Sequence, residues 1–233
     1  MRQYGVRVFS ERDRQLLRFV AEQYLVTLPQ LAYLADRSER TARWLRTRWQ
    51  RAGLIDAGKL LVEEPTVVWL TRPGLAALGL PWKPVRPSYG SIPTLAALVD
   101  LRLAAAARYP QARWLSRRTL SHEPSLPSPL PDALLSSPDA TVAIVAKPRE
   151  LRWRELEQQL LPLNRQYEHV LLVLPQVSRH TRQWLVELGD HVTVLEHRRD
   201  PIRVTLPPLP ILDPREATDG WPMPRPIART HTR

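Results

Sequence analysis

The densest chemistry in this sequence lies between Ser38 and Gly53, in the run SERTARWLRTRWQRAG. Five of its residues, Arg40, Arg43, Arg46, Arg48 and Arg51, are arginines. A guanidinium is planar and permanently charged, and its fork of donors matches phosphate oxygens and the guanine edge. Elsewhere the residues of enzyme sites do not assemble. The histidines at 122, 169, 180, 191, 197 and 231 show no i,i+4 pairing and no HExxH. No Walker A, GxGxxG or GxSxG motif occurs, and there are no cysteines. Disulfides, thiolate catalysis and cysteine-bound zinc are therefore excluded, and the sequence implies no cofactor and no metal.

Those arginines need a scaffold, and the periodicity supplies one. At about 100° per residue, Ala42, Leu45, Trp49 and Ala52 fall in one arc and are expected to face a core. Arg40, Arg43, Trp44, Thr47 and Arg51 occupy the opposite face, with Arg46 and Arg48 on its flanks. Such a helix docks by one side and presents cations to a groove. Arg40, Thr41 and Arg43, near the N-terminal end, are expected at base edges, and Arg46, Arg48 and Arg51 at phosphates. Trp44 has two readings, packing on the sugar-phosphate backbone or taking part in a dimer contact.

The helix sits in a recognisable order of elements. Ser10 to Asp13 (SERD) forms a variant capping box ahead of the apolar stripe Leu16, Leu17, Phe19, Val20 and Tyr24. Thr27, before Leu28-Pro29, starts a short second helix running to Ala35. Ser38 starts the third, which ends at Gly53. Beyond it, a short strand at Leu54-Ile55, a turn at Asp56–Lys59 and strands at Leu60–Glu63 and Val67–Leu70 are expected, with Lys59 at the hairpin tip as a wing contact. Thr71 then caps a brief helix to Leu80. Three helices followed by a hairpin is the order of a winged helix-turn-helix, expected over residues 1–80.

Residues 81–90 (PWKPVRPSYG) read as a stiff linker. Over 91–205, helices at 94–108, 152–163 and after Ser178 alternate with strands at 113–116, 133–135, 141–146, 169–174 and 191–196. That alternation predicts an α/β domain with a partly parallel central sheet. The fold class is thus α+β overall. Residues 206–233 are Pro-rich and predict an extended or disordered tail.

Composition agrees with a polyanionic partner. Lys and Arg number 34 against 23 Asp and Glu, and each neutralised phosphate releases condensed counterions. Only positions 59, 83 and 147 are lysine. The most apolar stretch, around Leu95–Ala107, contains Asp100 and Arg102 and is not a membrane span. The N-terminal MRQYGVRVFSERDR lacks the apolar core of a secretory signal. The expectation is a cytoplasmic protein with no membrane partner.

The runs SERDRQLLRFVAEQYLVTLPQLAYL, SERTARWLRTRWQRAGLI and VVWLTRPGLAALG resemble the replication-relaxation family of bacterial plasmids and mobile elements. The likeness continues weakly through LVDLRLAAAARYPQARWLSRRTL and LPDALL. It implies a MarR-like winged helix followed by a restriction-endonuclease-like domain. That domain's nuclease motif joins Pro-Asp, a spacer, then an acid, any residue and Lys. Its carboxylates hold Mg²⁺, which activates water. Pro131-Asp132 and Lys147 match parts of it, but Val145 stands at the second acid, and Glu155 or Glu157 would have to replace it. The resemblance therefore implies a pseudo-nuclease.

Three functions follow as expectations. The first is a binder of double-stranded DNA, acting as a transcriptional regulator or an accessory factor in replication or transfer of a mobile element. Its second domain or tail would serve a homodimer or a protein partner. The alternatives are a metal-dependent DNA nuclease and a protein-docking scaffold built on the winged helix and Pro-rich tail.

Overall fold

A computed structural model describes residues 9–60, 62, 64–138, 140–147, 153–197 and 204–209. These residues form an α+β protein divided into two units between Tyr89 and Gly90.

The first unit runs α1 (Glu11–Gln23), β1 (Val26–Thr27), α2 (Leu28–Leu34), α3 (Glu39–Arg51), β2 (Ile55–Gly58), β3 (Val67–Leu70) and α4 (Arg72–Ala77). Each helix starts where its chemistry allows. The Ser10–Asp13 box closes in both directions. So does a second one, in which Thr27 Oγ1 accepts from the Gln30 N–H at 3.3 Å and Gln30 Oε1 accepts from the Thr27 N–H at 2.9 Å. Asp36 takes a positive φ of 49° between α2 and α3, and Gly53 takes 72° after α3. Asp tolerates this left-handed region better than most residues, and Gly adopts it without strain.

The small sheet is antiparallel in the order β1-β3-β2. β3 is central and all four of its residues are buried, which explains an unbroken apolar run in place of alternation. The hairpin departs from expectation. β2 spans Ile55–Gly58 and pairs Ile55 with Leu70 and Gly58 with Val67, so residues 56–58 are strand and not turn. Leu60 and Val62 are outside any strand, and 61 and 63 lie outside the described residues. The connection is the longer segment 59–66, with exposed Lys59 at its start and not at a tip. The backbone of a buried strand needs hydrogen-bond partners, and residues 55–58 pair along the whole of β3. β1 was not anticipated.

Thr71 ties the end of the sheet to α3. Its hydroxyl donates to the Gly53 carbonyl at 2.6 Å and accepts from the Gly74 N–H at 3.2 Å. A Cβ at position 74 would lie 2.0 Å from the Leu54 carbonyl oxygen, so only glycine permits this approach.

The second unit runs α5 (Ile92–Arg108), β4 (Arg113–Ser116), α6 (Arg117–Leu120), β5 (Ala133–Ser136), β6 (Thr141–Ala146), α7 (Trp153–Gln166), β7 (His169–Leu174), α8 (Arg179–Glu187) and β8 (Val192–Glu196). The sheet order is β4-β5-β6-β7-β8. β4, β5 and β6 pair antiparallel, while β6, β7 and β8 pair parallel. This is a mixed sheet, buried on both faces. One face packs Leu135, Val142, Ile144, Leu171 and Val173 under Leu98, Leu101 and Ala105 of α5. The other packs Leu134, Ala143, Val145, Val170, Leu172 and Leu174 under Leu156, Leu160 and Leu163 of α7.

The expected tail needs correction at its start. Leu206 and Leu209 are buried in the α5-side core. The Tyr109 hydroxyl donates to the Pro207 carbonyl at 3.1 Å and accepts from the Leu209 N–H at 2.9 Å. One side chain thus satisfies two backbone groups of this Pro-rich segment, at Pro207 and Leu209. The remainder of the expected tail, 210–233, lies outside the described residues.

His169, buried at the start of β7, has Nε2 at 2.7 Å from Thr193 Oγ1. Burial first, and the neighbouring His191 second, hold its pKa below the ordinary histidine value. Between that value, about 6.5, and the lower folded one, the unfolded chain binds more protons. Its stabilising contribution is therefore complete above about pH 6.5 and declines as pH falls toward the folded pKa. Thermal melts from pH 7.5 to 5 should show a smaller acid loss for His169→Gln than for the parent. Parallel pH dependences would contradict this assignment.

Candidate nucleic-acid interface

α3 is positioned by what it buries. Ala42, Leu45 and Trp49 are buried, whereas Ala52, beyond the last helical turn, is exposed. The chain leaves the helix axis at Ala52, so the apolar arc stops one turn earlier than its periodicity suggested. Ser38 caps the start, accepting from the Thr41 N–H at 3.4 Å, with the two hydroxyls 3.2 Å apart.

Trp49 is fully buried and its indole N–H requires an acceptor. Asp13 of α1 provides it, 3.1 Å away at Oδ1. The same oxygen accepts from Arg48, while Oδ2 receives the Ser10 N–H at 3.2 Å and the Ser10 hydroxyl at 2.8 Å. Asp13 is 5% exposed. A carboxylate so placed is stable only with partners of this kind. Arg12 of α1 in turn donates to the Ala35 carbonyl at the end of α2. Charged contacts thus tie both α2 and α3 to α1.

This geometry corrects one expected contact. Arg48 is turned toward α1, its side chain 34% exposed and ion-paired to Asp13. Its guanidinium also lies over the Trp44 ring, 4.7 Å from the centroid. Arg48 is thus engaged by Asp13 and by the Trp44 ring, where the sequence had suggested a phosphate contact. Sequence reasoning missed this, although a signal existed. Asp13 lies in the same helical stripe as Leu16, Leu17 and Val20, and an acid within an apolar stripe needs a buried partner.

The other expected residues divide by exposure. Arg40 and Arg51 are exposed, and Arg46 and Thr47 are half-buried. Thr47 donates its hydroxyl to the Arg43 carbonyl at 2.9 Å. Arg43 pairs with Glu39 at 3.2 Å, with side chains 65% and 55% exposed. Such an i,i+4 surface pair is worth only about 0.3–0.5 kcal/mol and yields readily to a better anion. Trp44 is 58% exposed. The outward face therefore carries Arg40, Arg43, Trp44 and Arg51, with Arg46 at its edge.

The nuclease-like residues have different surroundings. Asp132 is buried; its Oδ2 accepts from the Ala146 N–H at 2.9 Å, and its Oδ1 pairs with Arg117 Nη1 at 3.0 Å. Its carboxylate closes the end of β6 against α6. Val145 is wholly buried on the α7 side, Lys147 is half-buried just past β6, Glu155 is exposed and Glu157 half-buried. Among the described residues no group of three or more His, Asp or Glu is placed to hold a metal ion. His197 Nε2 lies 3.4 Å from Asp100 Oδ2, both largely buried. Among the described residues no helix is long and apolar enough to cross a membrane. No protein-family model matches the chain. No curated protein matches it either.

The contrast between Arg48 and Arg43 is measurable by double-mutant cycles in urea unfolding. Asp13→Ala and Arg48→Ala should couple by about 1–3 kcal/mol, as neighbours in one buried network do. Glu39→Ala and Arg43→Ala should couple by less than about 0.5 kcal/mol. Additive losses at Asp13 and Arg48 would contradict that engagement.

Proposed function

We propose that residues 1–80 are a winged helix-turn-helix that binds double-stranded DNA with α3 in the major groove. One observation carries this reading: α3 buries Ala42, Leu45 and Trp49 and turns Arg40, Arg43 and Arg51 to solvent. Arg40, Thr41 and Arg43 are at the N-terminal end of α3, where recognition helices meet base edges. Arg46, Arg51 and Lys59 serve phosphates, and the 59–66 segment is the wing.

The resemblance read from the sequence to replication-relaxation proteins favours a regulator, or an accessory factor in replication or transfer of a mobile element. The second unit is read as a restriction-endonuclease-like scaffold for a homodimer or a protein partner. The engagement of both Asp132 oxygens weighs against the nuclease alternative.

A salt series of binding measurements tests the reading. Five cations (Arg40, Arg43, Arg46, Arg51 and Lys59) predict a slope of log K against log salt near about −4.5. Arg40→Ala and Arg43→Ala should each weaken the preferred site by roughly 1–3 kcal/mol. Salt-independent binding, or unchanged affinity in both variants, would refute it.

A further inference from the structure

We propose that Trp44 is a stacking platform, so that this face favours DNA whose bases are locally unpaired over a fully stacked duplex. The inference rests on the DNA-binding reading above and narrows it to duplex that contains a locally unpaired stretch.

Trp44 lies within the arginine stripe of α3, with Arg40 one turn before it and Arg48 one turn after it. It is the largest side chain on that face and is 58% exposed. A lone exposed indole usually has several rotamers, but here Arg48 stacks on the ring at 4.7 Å while Asp13 holds that guanidinium. The ring is thus steadied by an ion pair rooted in the protein interior, which lowers the ordering cost of a contact. The exposed Arg40 and Arg43 lie on the same face of the helix.

The occupant follows from chemistry. A second copy of this face would bring two sets of guanidinium groups together, which like-charge repulsion opposes. A matched duplex offers the major groove only base edges, because its base faces are stacked on one another. Unpaired bases offer their faces, and a positive groove with an aromatic platform is how single strands are held. Trp44 and its surrounding arginines meet both requirements.

Three probes of one sequence separate the outcomes: a matched duplex, the same duplex with a central bubble of mispaired bases, and the single strand. Fluorescence anisotropy with the full chain should show the bubble bound about 10-fold more tightly than the matched duplex. Trp44→Ala should remove most of that preference, weakening the bubble about 10-fold more than the matched duplex, and Trp44→Phe should retain part of it. Equal affinity of the parent for bubble and duplex would overturn the proposal, as would equal weakening of all probes by Trp44→Ala. Conversion of a dimer to a monomer by Trp44→Ala would assign the ring to self-association and overturn it too. If the parent binds matched duplex without preferring the bubble, only this inference fails. If it binds no probe, the DNA-binding reading fails as well.

Discussion

The carboxylate of Asp13 stands where α1 meets α3, and its two oxygens serve different helices. Oδ2 takes the Ser10 N–H and hydroxyl and closes the first turn of α1. Oδ1 takes the Trp49 indole N–H and the Arg48 guanidinium and holds α3. Burying an acid is unfavourable unless its lone pairs are engaged, and engaging them fixes the donors in place. The same group that starts the first helix therefore sets the rotation of the third. With Trp49 held inward, Arg40, Arg43, Trp44 and Arg51 on the opposite side of α3 are exposed.

That constraint also sorts the arginines. Arg48 is drawn inward by the acid and steadies Trp44, whereas Arg40 and Arg51 remain outward and Arg43 rests on an exposed, weakly bound Glu39. The cationic face is consequently smaller than a helical wheel suggests, but better organised. An exposed aromatic ring, stacked by Arg48, sits among those charges. The proposed affinity for DNA depends on charges that are already turned outward and need little rearrangement on contact.

Much of this was legible from local patterns. The serine and threonine caps marked the starts of α1, α2, α3, α4 and α8, and the apolar runs marked β5, β6 and β7. What escaped was non-local. β1 has two residues, Val26 and Thr27, and exists only because β3 lies beside it some forty residues later in the chain. The hairpin register was misjudged because Leu60–Glu63 has local strand character, while β3 demands residues 55–58. α6 is a single turn, too short for any periodicity. Leu206 and Leu209 were hidden by their prolines, since nothing local indicates that the Tyr109 hydroxyl will satisfy that backbone. At the interface, the outward arginines could be read from spacing. The inward one required knowing that Asp13 faces Trp49.

DNA binding through α3 depends on which guanidinium groups face outward, and arginine-selective modification with mass spectrometry reads this directly. With phenylglyoxal in the absence of DNA, Arg40 and Arg51 should react readily, Arg43 somewhat less, and Arg48 slowest. At saturating DNA, confirmed by gel shift, Arg40, Arg43 and Arg51 should become protected while Arg48 is unchanged. Protection confined to arginines elsewhere in the chain, with these three as reactive as before, would contradict the account.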